Sequence, residues 1–135
     1  MARQDSLREL ASGQMPERYL RNLGTIGTAG QLRLLQAKVA VVGAGGLGGH
    51  VIELLARQGV GHLVIIDGDS FVCHNLNRQI LATEQTIGMN KALVAAGRVA
   101  GVNPDVKVTA VSQRLDSSNA LQWLTGMDVI VDALD

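Results

Sequence analysis

Val39-Ala-Val-Val42, followed at once by Gly43-Ala-Gly-Gly-Leu-Gly48, is the stretch of this sequence that decides the fold. Four apolar residues in a row, without alternating polar ones, are typical of a β-strand that is buried on both faces. After the first glycines, residues 47–57 place apolar side chains at helical spacing. A buried strand, a glycine loop and a helix in this order predict an anion site at the helix N-terminus, where backbone N–H groups are free.

The glycines fit the pattern G-x-G-x-x-G in the position that a nucleotide-binding loop requires. Gly43 lets the chain turn, Gly45 lets a phosphate approach the backbone, and Gly48 permits close packing of the helix on the strand. We therefore predict that a nucleotide binds along Gly43, Gly45, Gly46, Leu47 and Gly48. The alternative is a tight turn with a structural role alone.

The rest of the sequence alternates strands with helices. Strands are predicted at residues 63–66, 106–111 and 129–131, and helices at 90–100 and 116–124, the last with Asp116 or Ser117 as its N-cap. This alternation predicts an α/β fold, a doubly wound Rossmann-like parallel sheet with helices on both faces. We assign this nucleotide-binding domain to residues 37–135, and expect the polar residues 1–36 to form a short helical N-terminal arm. Because the sequence stops directly after the fourth strand, we expect the domain to be truncated at its C-terminal end or completed by a partner.

Composition restricts the classes of function. The 135 residues suit a single domain, and 47% are hydrophobic, but only 2% are aromatic. So few aromatic side chains argue against a base-stacking nucleic-acid module, and the balance of 12 basic and 12 acidic residues provides no field for DNA or anionic lipid. No apolar run reaches the roughly 18 residues of a membrane span, and the single cysteine excludes an internal disulfide framework. We therefore expect a cytoplasmic protein without membrane or nucleic-acid partners, in which Cys73 is an ordinary buried or half-buried thiol.

Charged residues follow the ends of the predicted strands. Asp67 ends the second strand, where an acidic side chain commonly binds a ribose; alone it favours NAD, and its alternative is a structural turn or cap. Arg78 and Lys91 add two positive charges, which suit a triphosphate that releases pyrophosphate, although either one alone is typical of a surface charge. Asp135 follows the fourth strand, where its carboxylate is placed to hold Mg²⁺.

Taken in order, these motifs resemble those of the ThiF/MoeB/HesA adenylyltransferases, which share the adenylation fold of ubiquitin-activating enzymes. The resemblance implies an enzyme that uses ATP and Mg²⁺ to activate the C-terminal Gly-Gly carboxylate of a ubiquitin-like sulfur-carrier protein, forming an acyl adenylate and releasing pyrophosphate. The matching segments are Arg18-Tyr-Leu-Arg21, Gly43-Ala-Gly-Gly-Leu-Gly48, Asp67-Gly-Asp69, Asn75-Leu-Asn-Arg78-Gln79, Gly88-x-x-Lys91 and Asp132-Ala-Leu-Asp135.

Carried over position by position, the resemblance implies roles for individual residues. Asp67 would bind the ribose of ATP, and Asn75 would help to hold the phosphates. Arg78 and Lys91 would also contact the phosphates and stabilise the transition state. The same motifs assign two further residues to the nucleotide site, Asp69 and Gln79.

The resemblance also implies a metal, a partner protomer and a continuation of the chain. Asp135 would position Mg²⁺, and Arg21 resembles an arginine that reaches into the neighbouring protomer's site in a homodimer, with a solvated surface charge as its alternative. Zinc-binding Cys-x-x-Cys pairs and a nucleophilic cysteine are expected only beyond Asp135. Two other functions stay open: an NAD-dependent oxidoreductase domain, favoured by the glycines and Asp67, and a non-catalytic nucleotide-binding or dimerisation module.

Overall fold

The computed structural model describes residues 2–135, which form a parallel sheet with helices on both sides, as the sequence predicts. Among these residues, no helix is both long enough and apolar enough to cross a membrane. The helices are α1 (Ala2–Ala11), α2 (Leu23–Gln36), α3 (Gly46–Gln58), α4 (Lys91–Val102) and α5 (Ala120–Leu124), with short 3-10 helices at Glu17–Asn22 and Cys73–Asn75. The strands are β1 (Lys38–Val42), β2 (His62–Ile66), β3 (Lys107–Val111) and β4 (Val129–Asp132).

The strands lie in the order β3-β2-β1-β4, and every neighbouring pair is parallel. The register brings the carboxyl ends together: Val42 lies beside Ile66 of β2 and Asp132 of β4, and Ile66 lies beside Val111 of β3. The strand order reverses at β1, because β2 and β3 lie on one side of this strand and β4 lies on the other. In doubly wound sheets, ligands bind in the crevice at this point.

Both faces of β1 and β2 are buried, because alternate residues of these strands contribute to two separate clusters, whereas β4 at the edge is largely exposed. Val39, Val41, Leu63 and Ile65 pack with apolar side chains of α3 and α4. On the opposite face, a second cluster of strand residues packs against the segment around α5. Its members are Ala40, Val42, Val64, Ile66 and Val111, with Trp123, Leu124 and Met127 beside them. The continuous apolar runs of β1 and β2 follow directly from this burial on two sides.

The N-terminal arm packs against the amino ends of the strands. The Tyr19 side chain is 1% exposed, and its hydroxyl donates to Asp105 Oδ2 at 2.8 Å and accepts from Asn103 Nδ2 at 2.9 Å. Burial raises the pKa of the Tyr19 hydroxyl. A Cβ at Gly59 would lie 2.7 Å from Tyr19 Cε1, so this glycine leaves room for the ring. The arm therefore lies at the end of the sheet opposite to the glycine loop.

The last helix is shorter than the sequence pattern predicts. A helix at residues 116–124 with Asp116 or Ser117 as N-cap was expected, but α5 begins only at Ala120. The Asp116 carboxylate instead accepts hydrogen bonds from the backbone and hydroxyl of Ser118, at 2.8 and 2.5 Å. Aspartate thereby stabilises a turn before the helix, a conformation that competes with helical capping.

Candidate functional site

The glycine loop joins β1 to α3 with almost no free space around two of its glycines. Gly43 has a φ of +102°, and a Cβ there would lie 2.7 Å from the carbonyl oxygen of Ala133. A Cβ at Gly48 would lie only 1.8 Å from the carbonyl oxygen of Gly43. Gly43 is thus required by the turn and by the approach of β4, while Gly48 lets α3 start directly against the strand.

The start of α3 offers free backbone donors beside these glycines. The helix begins at Gly46 with Gly45 as its N-cap, and no side chain caps its first amides. A Cβ at Gly46 would meet no atom within 4 Å, so the backbone is open on that side. Unpaired amides and the positive end of the helix dipole favour an anion here.

Asp67 ties the glycine loop to the end of β2. Its Oδ2 accepts a hydrogen bond from the backbone N–H of Ala44 at 2.8 Å, and its Oδ1 accepts one from the N–H of Asp69 at 2.8 Å. The carboxylate is half-buried, and each oxygen keeps a lone pair for a ligand. Asp67 therefore has a structural role whether or not it also contacts a ribose.

A cavity of about 270 Å³ opens at the carboxyl ends of the strands. It brings together seven residues that the sequence assigned to the site: Gly43, Gly45, Asp67, Asp69, Gln79, Lys91 and Asp135. Three carboxylates (Asp67, Asp69 and Asp135) and two cations (Lys91 and Arg114) line it. A cavity lined by backbone donors, cations and carboxylates suits an anionic ligand that arrives with a metal cation.

Lys91, the first residue of α4, is the most distinctive group of this cavity. It is only 8% exposed, and its Nζ lies 5.5 Å from the centroid of the Phe71 ring, within range of a cation–π interaction. No carboxylate of residues 2–135 lies within 4 Å of this ammonium group. The ammonium group faces the cavity without a carboxylate partner, so an anionic ligand there would form a charge-assisted contact with it.

Gln79 is the second buried polar group without a full set of partners. The residue is 6% exposed, and its Oε1 has no hydrogen-bond partner in the described part of the chain. Its side chain lies beside Gly45, where a Cβ would be 3.4 Å from Nε2. A buried acceptor of this kind is usually satisfied by water or a ligand.

Other residues assigned from sequence lie outside the cavity lining. Asn75 is buried, and its Oδ1 accepts from the backbone N–H of Val72 at 2.9 Å, so it stabilises the 3-10 turn. Arg78 is exposed, and its Nη1 donates to His74 O and to Asn77 Oδ1, both at 3.0 Å. The glycine-loop positions Gly46, Leu47 and Gly48 also fall outside the lining.

Arg21 and Cys73 complete the set of sequence predictions. Arg21 is exposed on the 3-10 helix of the arm, two residues from Tyr19, and thus at the opposite end of the sheet from the cavity. It does not contribute to the cavity of its own chain. The expectation of a buried or half-buried Cys73 is wrong, because this residue begins an exposed turn and its thiol is exposed.

The sequence did not predict the wall that follows β3. Gln113, Arg114 and Leu115 line the cavity from that strand end. The chain passes close to the loop after β2, since a Cβ at Gly68 would lie 2.8 Å from the backbone nitrogen of Arg114. The rule that ligands bind beyond the carboxyl ends of parallel strands applies to β3 as well and could have identified this segment.

Metal ligands are sparse within residues 2–135. The described residues contain no group of three or more His, Cys, Asp or Glu side chains arranged to hold a metal ion. A preformed all-protein metal cage is therefore not part of this segment. A magnesium ion, however, commonly binds through one or two carboxylates together with substrate phosphates, and Asp135 is one such carboxylate at the cavity.

Comparison with known proteins agrees with this geometry. Residues 19–135 match the model of the ThiF family. The SAMP-activating enzyme E1 of Haloferax volcanii and the sulfur carrier protein adenylyltransferase of Thermus thermophilus are each 46% identical over 121 residues, covering 88% of this chain and 45% of theirs.

A solved structure has a similar fold. The E. coli tRNA N6-threonylcarbamoyladenosine dehydratase TcdA, determined in complex with ATP, has a TM-score of 0.85 and 34% identity, covering 88% of this chain and 49% of that one. The chain therefore spans about half the length of these three proteins, 45% of each relative and 49% of the TcdA chain. Because the family model covers most of the sequence, this chain belongs to the ThiF family.

Proposed function

We propose that this chain forms the ATP-binding part of an adenylyltransferase that activates the C-terminal Gly-Gly carboxylate of a ubiquitin-like sulfur-carrier protein. The observation that carries the proposal is Lys91, a largely buried side chain whose ammonium group has no carboxylate partner among residues 2–135, at a cavity that Gly43 and Gly45 also line. Relatives named as a SAMP-activating enzyme and a sulfur carrier protein adenylyltransferase support the reaction class. The similar structure of TcdA, solved in complex with ATP, supports ATP as the nucleotide.

In the proposed reaction, a carboxylate oxygen attacks the α-phosphorus of ATP, and the bond from that phosphorus to the bridging oxygen of pyrophosphate breaks. The products are an acyl adenylate and pyrophosphate. The carboxylate is already ionised at neutral pH, so no general base is needed. The main obstacle is repulsion between anions, which fixed cations and backbone donors reduce.

Lys91 and Arg78 would stabilise the charge that moves onto pyrophosphate. Lys91 is held in place by burial and by the Phe71 ring, so it needs little reorganisation when the nucleotide binds. Arg78 would have to exchange its hydrogen bonds to His74 O and Asn77 Oδ1 for phosphate oxygens. Charge-assisted hydrogen bonds to phosphate are stronger than these bonds to neutral oxygens, which favours the exchange.

The other groups that we assign complete the site. Asp67, whose carboxylate oxygens keep free lone pairs, would accept hydrogen bonds from the ribose. Asp135 would hold Mg²⁺ together with phosphate oxygens, and the bound ion would supply charge neutralisation. We also propose a cytoplasmic homodimer in which Arg21, remote from the cavity of its own chain, reaches the site of the partner protomer.

The proposal is tested by titrating the protein with Mg·ATP and, separately, with NAD. We expect binding of Mg·ATP in preference to NAD. With a carrier that ends in Gly-Gly, exchange of labelled pyrophosphate into ATP should be about 10²-fold slower in Arg78→Ala, the typical effect of removing one transition-state donor. Arg8→Ala is the matched control, since it removes an exposed arginine of α1.

Three outcomes would count against the proposal. Preference for NAD would favour the oxidoreductase reading, which rests on the same glycines and Asp67. Binding of ATP without pyrophosphate exchange, in the full-length protein with its carrier, would favour a non-catalytic nucleotide-binding module. Unchanged exchange in Arg78→Ala would refute the role of that residue while leaving ATP binding intact.

A further inference from the structure

Asn90 precedes Lys91 and connects several walls of the cavity. It is the N-cap of α4, and its Oδ1 accepts a hydrogen bond from the backbone N–H of Leu93 at 3.1 Å. The same oxygen accepts from the hydroxyl of Ser112 at 3.0 Å, in the segment that follows β3. One side-chain oxygen thus joins the first turn of α4 to the end of β3.

The other half of the carboxamide faces the loop after β2. Asn90 Nδ2 donates to the carbonyl oxygen of Asp67 at 2.9 Å and to that of Asp69 at 3.2 Å. The Asp69 carbonyl also accepts from the backbone N–H of Lys91 at 2.9 Å. Leu93 N–H can only donate and the two carbonyls can only accept, so the partners fix the orientation of the amide, and its hydrogen-bonding capacity is largely used.

We infer that Asn90 is a positioning residue of the nucleotide cavity: its two donor bonds hold the segment 67–69, and its oxygen anchors the side chain to the first turn of α4 and to Ser112. The inference rests on the proposed function for the identity of the ligand. Asn90 acts through Asp67 and Lys91, which line the cavity: it holds the backbone of Asp67 and caps the helix turn that begins at Lys91, and thereby sets their relative position. A side chain that only capped the helix would not need the two donor bonds.

Asn90→Asp separates capping from positioning. Aspartate is as good an N-cap as asparagine, so the bond to Leu93 N–H is kept. A carboxylate oxygen would, however, face the two carbonyl oxygens that now accept from Nδ2. We expect faster amide hydrogen exchange in residues 67–72, and Mg·ATP binding about tenfold weaker, the effect expected from losing two such hydrogen bonds.

Asn90→Ser is the second variant, because it keeps a capping oxygen and removes both amide N–H donors, leaving one shorter hydroxyl, without adding a negative charge that would itself repel ATP. Like Asn90→Asp, this variant should show faster amide hydrogen exchange in residues 67–72 and weaker binding of Mg·ATP. Glu53→Gln is the control for stability: it removes the charge that pairs with Arg98 and Arg57 and changes no residue of the cavity lining. In this control, exchange in residues 67–72 and affinity for Mg·ATP should match the wild type.

The results distinguish this inference from the proposed function. If both Asn90 variants show wild-type exchange in residues 67–72 and wild-type affinity for Mg·ATP, the positioning role is refuted. If the wild-type protein does not bind Mg·ATP, the proposed function fails, and hydrogen exchange alone then decides whether Asn90 orders this segment. Faster exchange with weaker binding in both variants supports the inference.

Discussion

Gly48→Ala tests the geometry of the glycine loop most directly. An added Cβ would lie 1.8 Å from the carbonyl oxygen of Gly43 and 2.7 Å from its carbonyl carbon, whereas ordinary contacts begin at 3.4 Å. Relief of this overlap requires a shift of about 1.5 Å, and both groups belong to the backbone, so no rotation of a side chain can supply it. Either the end of β1 or the start of α3 must move.

The expected cost follows from this overlap. Overpacking of a core typically costs about 1–3 kcal/mol, and a clash with backbone belongs at the upper end, about 3 kcal/mol. For a domain of this size the thermal midpoint should fall by about 10 °C. Affinity for Mg·ATP should fall as well, because Gly43 and Gly45 line the cavity.

Gly97→Ala is the matched control for this change. A Cβ at Gly97, an exposed position within α4, would meet no atom within 4 Å. Because alanine favours the helix, this variant should gain about 0.5–1 kcal/mol and keep its affinity for Mg·ATP. Thermal denaturation and calorimetric titration of both variants provide the comparison. A Gly48→Ala protein with the midpoint and the affinity of the wild type would refute the argument from close approach.

Three further predictions follow from individual side chains. Lys91→Met should weaken binding of Mg·ATP by about 10- to 100-fold in calorimetric titration, while chemical denaturation shows little loss of stability, because the ammonium has no carboxylate partner among residues 2–135. Arg98, with help from Arg57, holds the pKa of Glu53 at about 2. The contribution of this ion pair to the free energy of unfolding should therefore be complete above pH about 4.5 and lost as the pH falls towards 2. Glu53→Gln should lower the free energy of unfolding by about 1 kcal/mol at pH 7 and weaken its pH dependence in this range. Burial, together with nearby lysines, lowers the pKa of His62. The unfolded chain therefore takes up a proton here more readily, so the free energy of unfolding should be unaffected by His62 above pH 6.5 and should decrease below it. His62→Gln should reduce this pH dependence in denaturation curves measured from pH 5 to 8.

Much of the fold could be predicted because its signals are local. The apolar run 39–42 and the glycines after it lie within ten residues of each other, and the structure places a strand, a turn and a helix there. The start of α5 could not be predicted in this way. Asp116 and Ser117 suit the cap of a helix, but Asp116 also suits a turn with Ser118. Contacts between residues 113, 114 and 119 accompany that turn.

The cavity was predicted in part, for a related reason. Asp67 and Lys91 are charged residues at defined positions of sequence motifs, whereas Gln113 and Leu115 belong to no motif that was recognised. Their position depends on the strand order, which places β3 beside β2, and on the close approach of the chain at Gly68. The direction of the Arg78 side chain depends likewise on its exposed loop, which the spacing of residues does not determine.

The structure also shows which substitutions can reveal a role in nucleotide binding. Asp67 bonds the backbone amides of Ala44 and Asp69, so Asp67→Asn, which can replace only one acceptor oxygen, would alter the loop and any ribose contact together. Loss of ATP binding in that variant would not distinguish the two causes. Lys91 has no such partner among the described carboxylates, and its Nζ lies 5.5 Å from the centroid of the Phe71 ring. A loss of affinity in Lys91→Met, with stability retained, therefore reports on the ligand itself.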